Sequence, residues 1–222
     1  MIKKKKKRIL SLKSFYNNLK NKKIIFYVFL FQIILSFFSV QVFADKLKKG
    51  DAIIQEMVMK TKLHAVNSIK LEPEKRTQKI KQLINQYINL NFMARATTGS
   101  FWKKATDNQR EQYKDALFNQ IINTIEDHLN TLATLSYKSV NSELRGKKLV
   151  YIRGKIEDPK KIEPTINLLW KLAANKDGKF LVLDLEIEGI SLVSSHKAET
   201  MSILRKNKGD FNILLSKLKE SK

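Results

Sequence analysis

The sequence contains no cysteine. Disulfides, thiolate metal sites and lipid attachment of the bacterial lipoprotein kind are thereby excluded. Histidine is nearly as scarce, with only His64, His128 and His196 among 222 residues. None stands in an H-x-H or H-E-x-x-H pattern, so zinc has no ligand set and no metal is expected. Glycine occurs seven times and proline three times. No Gly-rich phosphate loop results; "RGKK" at Arg145 to Lys148 lacks the upstream glycine and the Ser/Thr that such a loop needs. Beyond residue 44 there is no low-complexity linker and no internal repeat.

Positive charge is abundant. The chain holds 43 Lys and Arg against 21 Asp and Glu, a formal charge of +22. Much of it is concentrated at the start, in Lys3 to Lys7, Arg8, Lys13, Lys20, Lys22 and Lys23. An apolar run from Ile24 to Val40 follows, and Val42-Phe43-Ala44 precedes Asp45. A basic leader, an apolar stretch and small residues spaced for cleavage read as a secretory signal peptide over residues 1–44. The rival is an uncleaved anchor, because the apolar run is close to the length that spans a bilayer. Residues 45–222 are then expected to form one domain, held together by its core.

Removing a leader with ten basic and no acidic residues lowers the charge from +22 to +12. Only seven of the 43 basic residues are Arg, the residue that most often reads bases, and the lysines are scattered. No nucleic acid partner is expected; a solvated basic surface that tolerates anionic membranes fits better.

The first half of the domain reads helical. Ile54, Val58, Ala65 and Ile69 recur at helical spacing, and after Pro73 the stripe Ile80, Leu83, Ile84, Tyr87, Ile88 is clean. A short segment with Phe92, Met93, Phe101 and Trp102 surrounds Gly99, which is expected to end a turn. Thr106 and Gln109 make a capping box, and the helix behind it carries Leu117, Phe118, Ile121, Ile122, Ile125, Leu129 and Leu132.

In the second half the period changes to two. Val150, Ile152 and Ile156 share a face, as do Ile166, Leu168, Trp170 and Leu172. Past the turn at Asn175 to Gly178, Leu181, Leu183, Leu185 and Ile187 fall on one side, with Phe180, Val182, Asp184 and Glu186 on the other. A weaker strand, "YKSVNSEL", precedes these, and two helical stretches close the chain around Met201 to Leu204 and after Asp210. Helices followed by an antiparallel sheet define an α+β class.

Gly189-Ile190-Ser191 after an apolar strand invites comparison with a hydrolase elbow. Val193 occupies the place of its second glycine, His196 follows too closely to be a distant base, and the sheet is antiparallel. Ser191 is therefore expected at a turn or a helix start. Asp184 is the acid of most interest, since an acid aimed into a cone-shaped pocket can act as a general base. The alternation places it opposite the leucine face, which favours structural hydrogen bonding. What remains is apolar surface, and periodicity leaves open whether it fills a core or lines a cavity.

Two stretches resemble the MlaC family of periplasmic phospholipid-binding proteins, also called the toluene-tolerance family. One is "NLNFMARATTGSFWKKATDNQREQYKDALFNQIINTI" and the other is "DGKFLVLDLEIEGISLVSSHKAETMSILRKNKGDFNILLSKLKE". Asn91 where an acid is common, Thr106-Asp107 without the frequent proline, and Phe180 for a common tryptophan are departures. The resemblance implies N-terminal helices packed on a highly twisted, cone-like sheet of the nuclear-transport-factor kind, with C-terminal helices and an apolar pocket. It implies a monomeric, non-enzymatic carrier with phospholipid as cargo and no cofactor. Its partners would be an outer-membrane lipoprotein-porin complex and an inner-membrane Mla-type ABC transporter, serving outer-membrane lipid asymmetry; a relative in hopanoid-producing bacteria shares the pattern. The expected lining is Val150, Ile152, Leu168, Trp170, Leu181, Leu183 and Leu185, facing Phe92, Phe118 and Ile122. A small-molecule enzyme on a similar cone is the distant alternative.

Overall fold

The computed structural model describes residue 27 and residues 44–67, 71–128, 133–160, 162 and 164–220. The expected signal peptide therefore lies almost wholly outside the described residues. Two compact units divide the chain, Met1–Lys46 and Leu47–Lys222, and the fold described below is that of the second. Among the described residues no helix is long and apolar enough to cross a membrane.

Helix α1, over residues 44–67, leads into this unit. Helix α2 (Pro73–Tyr87) opens on proline, whose missing N–H costs nothing in a first turn, and buries Ile80, Ile84 and Tyr87. Helix α3 (Leu90–Thr98) and the 3-10 turn Gly99–Lys103 occupy the segment where the sequence suggested only a turn. The Asn89 carboxamide caps α3 by accepting from the Phe92 N–H at 2.9 Å. Gly99, at φ 57°, ends it in a conformation that favours glycine. Helix α4 (Asp107–Asp127) starts at the expected capping box, with the Gln109 N–H donating to Thr106 Oγ1 at 3.2 Å and the Thr106 N–H donating to Gln109 Oε1 at 3.0 Å. Leu129 and Leu132 of its stripe lie outside the described residues.

Strands β1 (Ser136–Arg145), β2 (Leu149–Glu157), β3 (Ile166–Ala174), β4 (Phe180–Ile187) and β5 (Ile190–Ser191) form one antiparallel sheet in sequence order. Helices α5 (Leu192–Lys206) and α6 (Phe211–Glu220) follow. The class is mixed helix and sheet, with helices on either side of the strands in sequence.

Register corrects one sequence expectation. Along the helix-covered face Val150 opposes Leu172, which opposes Val182, while Ile152 opposes Trp170, which opposes Leu185. A bulge interrupts the β3–β4 ladder between Lys171 and Leu172, leaving Leu183 as the extra residue. Strict alternation fails there, because one inserted residue moves every later side chain to the other face. Phe180 and Val182 thus share the covered face with Leu185 and Ile187, and Leu181 lies on the opposite face beside Ala173.

The apolar residues gather in three clusters. The first unites α1, the end of α2 and the sheet through Ile54, Met57, Tyr87, Val150, Ile152, Leu172, Phe180 and Val182. A second, purely helical cluster joins α3, α4, α5 and α6 through Ala94, Tyr113, Leu117, Leu204, Phe211 and Leu214. The third, smaller one joins α1, α2 and α4 through Ala65, Ile80, Ile84 and Ile122.

Candidate functional site

The covered face of the sheet is the candidate site. Helix α1 approaches it closely at Gly50, where a Cβ would stand 2.8 Å from Val150 Cγ1; a larger residue would push the helix away. Next to this contact Ser139 Oγ donates to Asp51 Oδ1 at 2.5 Å, and Gln55 Nε2 donates to Asp51 Oδ2 at 2.7 Å. Asp51 thus fixes α1 to β1.

Of the residues expected to line a pocket, five share this face: Val150, Ile152, Leu168, Trp170 and Leu185. Val150 and Ile152 are fully buried under the helices. Leu183 is buried at the bulge, and Leu181 faces away. Ile122 and Phe118 belong instead to the smaller helical cluster, which Ile88 links to the sheet-side one. Phe92 is 42% exposed and lines an outward groove with Arg95, Trp102 and Lys103. The helical repeat explains this: Met93, its neighbour, turns inward to both larger clusters.

Two aromatic residues here carry polar atoms that no hydrogen bond of full geometry holds. Tyr137, not singled out from sequence, stands on the covered face opposite Ile156. Its ring lies across Gly154, where a Cβ would fall 2.3 Å from Tyr137 Cε2 and 2.5 Å from its hydroxyl oxygen. A glycine inside a strand is the sequence signal for such a close approach. The Tyr137 hydroxyl and Trp170 Nε1 are both buried without a hydrogen bond of full geometry, though Trp170 and Ser139 are the hydroxyl's polar neighbours. Burial, helped by the Asp51 charge, pushes the hydroxyl up to about 12. It is a neutral donor at any physiological pH.

Asp184 lies on the opposite face and is bonded on every side. Lys171 Nζ donates to its Oδ2 at 2.9 Å, Ser191 Oγ donates to the same oxygen at 2.7 Å, and the Val193 N–H donates to Oδ1 at 3.1 Å. Lys171 also pairs with Glu186. Ser191 caps α5 by accepting from the Ser194 N–H at 3.0 Å. The Gly189-Ile190-Ser191 stretch is therefore a turn and a helix cap, with Glu188 and Gly189 at φ 49° and 80° forming a two-residue hairpin. Among the described residues no group of three His, Cys, Asp or Glu side chains is placed to hold a metal ion.

An antiparallel sheet with an apolar face under helices, next to a helical core, places the protein in a mixed class of helix and sheet. Residues 55–220 match the family model of the MlaC protein, and the chain belongs to the MlaC family. A phospholipid-binding protein from Ralstonia solanacearum, solved in complex with a phospholipid, has a similar fold. The TM-score is 0.63 at 21% identity, over 78% of this chain and 96% of that one. No curated protein sequence matches this chain significantly.

Proposed function

We propose that the protein is an exported carrier of two-chain phospholipid, holding the acyl chains between the sheet and its helices. The observation that carries this reading is the apolar face shared by Val150, Ile152, Leu168, Trp170 and Leu185 in a chain of the MlaC family. The lipid-bound protein of similar fold supports it. So does elementary energetics: two acyl chains hold about 30 methylenes, whose exposure to water costs roughly 24 kcal/mol, so unassisted crossing of an aqueous space is negligible. On this reading cargo moves across the periplasm between an outer-membrane lipoprotein-porin complex and an inner-membrane Mla-type ABC transporter. The protein then works by binding rather than by catalysis. Ser191 and Asp184 are engaged in structural hydrogen bonds, which supports that assignment.

Organic extraction of purified protein followed by mass spectrometry tests the reading. Two-chain phospholipid near one per protein is the expected result. Protein that neither retains nor takes up such lipid would overturn it, and recovered hopanoid would redirect it to another cargo. The same preparation, recovered from a bacterial periplasm, should have a mass that begins at Asp45.

A further inference from the structure

Native interiors rarely leave polar atoms unpaired, and each exception calls for a physical reason. Two such atoms, the Tyr137 hydroxyl and Trp170 Nε1, are neighbours on the covered sheet face. They come from strands β1 and β3, on either side of β2, and Gly154 on β2 makes the space in which they meet. The indole N–H can only donate, and the phenol can donate as well. Neither is held by a hydrogen bond of full geometry within the protein, so both donors are available to an acceptor that enters.

The surroundings decide which acceptor. Val150, Ile152 and Leu172 make the neighbourhood apolar, so a bare charge would be expensive to bring in. Asp51, bonded to Ser139 beside Tyr137, adds a negative field that opposes a phosphate or carboxylate. A neutral carbonyl oxygen meets both conditions. In a two-chain phospholipid those oxygens belong to the ester groups, where the polar glycerol joins the apolar tails.

We infer that Tyr137 and Trp170 form an ester-recognition site, donating hydrogen bonds to acyl ester carbonyls of bound lipid at the junction of head and tails. This rests on the phospholipid-carrier reading and adds a chemical selectivity to it. A pocket that merely dissolves tails treats ester and ether lipids alike. This one distinguishes them, because an ether linkage has the same chains but no carbonyl.

The test is competitive loading from mixed vesicles of dipalmitoyl phosphatidylglycerol and its dihexadecyl diether analogue in equal amounts. Bound lipid is then extracted and counted by mass spectrometry. The wild-type protein should retain the diester in about fivefold excess, the worth of one net hydrogen bond. Tyr137→Phe and Trp170→Phe should each bring the ratio of diester to diether toward one, whatever the total amount of lipid bound. Gly154→Ala should do likewise by displacing the Tyr137 ring. A wild-type ratio of one overturns the inference and leaves the carrier reading standing, even where a variant fails to fold. An undiminished preference in folded Tyr137→Phe and Trp170→Phe also overturns it. Loading of neither lipid overturns the carrier reading itself.

Discussion

The sheet-side cluster and the helical cluster treat buried polar atoms in opposite ways. In the helical one, the Tyr113 hydroxyl meets Thr97 Oγ1 at 2.9 Å and Thr200 Oγ1 at 3.2 Å, and Thr98 Oγ1 donates to the Ala94 carbonyl at 2.7 Å. An edge-on Phe211 ring completes the surroundings of Tyr113, 6.3 Å between centroids. In the sheet-side cluster the hydroxyls of Tyr87 and Tyr137 and the Trp170 indole have polar neighbours but no hydrogen bond of full geometry. The two clusters draw on similar residue types, so the difference lies in closure. One is finished within the protein, and the other keeps polar groups without fully formed hydrogen bonds.

The comparison can be broken most forcefully at the bulge. Val182 is 2% exposed beside Leu172, so Val182→Asp strands a carboxylate in the sheet-side cluster. A loss of about 3–5 kcal/mol in chemical denaturation, with loss of bound lipid, is expected. Leu181→Asp, one residue away on the other face, should cost clearly less and keep its lipid. Equal losses for the two would refute the faces assigned here.

Leu204→Ala probes the other side. The residue is fully buried in the helical cluster, and its truncation should cost about 2–5 kcal/mol. Lipid bound per folded molecule should not change. If it falls, the two clusters are not separable in function.

A smaller contrast is between two tyrosines. Tyr113→Phe removes a hydroxyl with two partners and should cost about 1–2 kcal/mol. Tyr87→Phe removes one with no fully formed hydrogen bond, although the Glu56–Lys60 ion pair is close by. Its thermal melt should stay near that of the wild type.

The smallest effect depends on pH. Burial, with Lys79 and Arg76 nearby, lowers the pKa of His64 below its ordinary value of 6.5, despite an opposing pull from Glu126. The unfolded chain then binds the proton more readily than the folded one. The stability this provides is complete above about pH 6.5 and is lost as pH falls through the lowered folded value. His64→Leu should flatten that decline in melts between pH 7 and pH 5. An unchanged slope would assign the decline to other groups.

Local rules made part of this legible in the sequence. The capping box at Thr106 and Gln109, the proline that opens α2 and the turn at Asn175 depend on neighbours a few residues away, and all three are present. Helix α3 was hidden because two adjacent threonines weaken helix propensity. Their hydroxyls donate to carbonyls of the preceding turn, Thr97 to Met93 and Thr98 to Ala94, which lets the helix keep them. The bulge at Leu183 was hidden for another reason. It is a property of the β3–β4 pairing, and no count along one strand can reveal an inserted residue. For the site, composition identified an apolar face but not its polar exceptions, since Tyr137 and Trp170 meet only across Gly154. Phe92 lies on that hidden helix, which carries it to an outward groove rather than to the sheet-side cluster.

The strict sequence order of the strands has a consequence for how the chain folds. Each ladder joins neighbours, and the β1–β2 turn spans only Gly146, Lys147 and Lys148, so the sheet can zip hairpin by hairpin. The hold between Asp51 and Ser139 instead closes a separation of 88 residues. Loop-length scaling makes that closure about 3 kcal/mol more costly in entropy than a three-residue turn. Docking of α1 is thus the costlier closure, and it completes the cover of Val150 and Ile152 that the end of α2 begins.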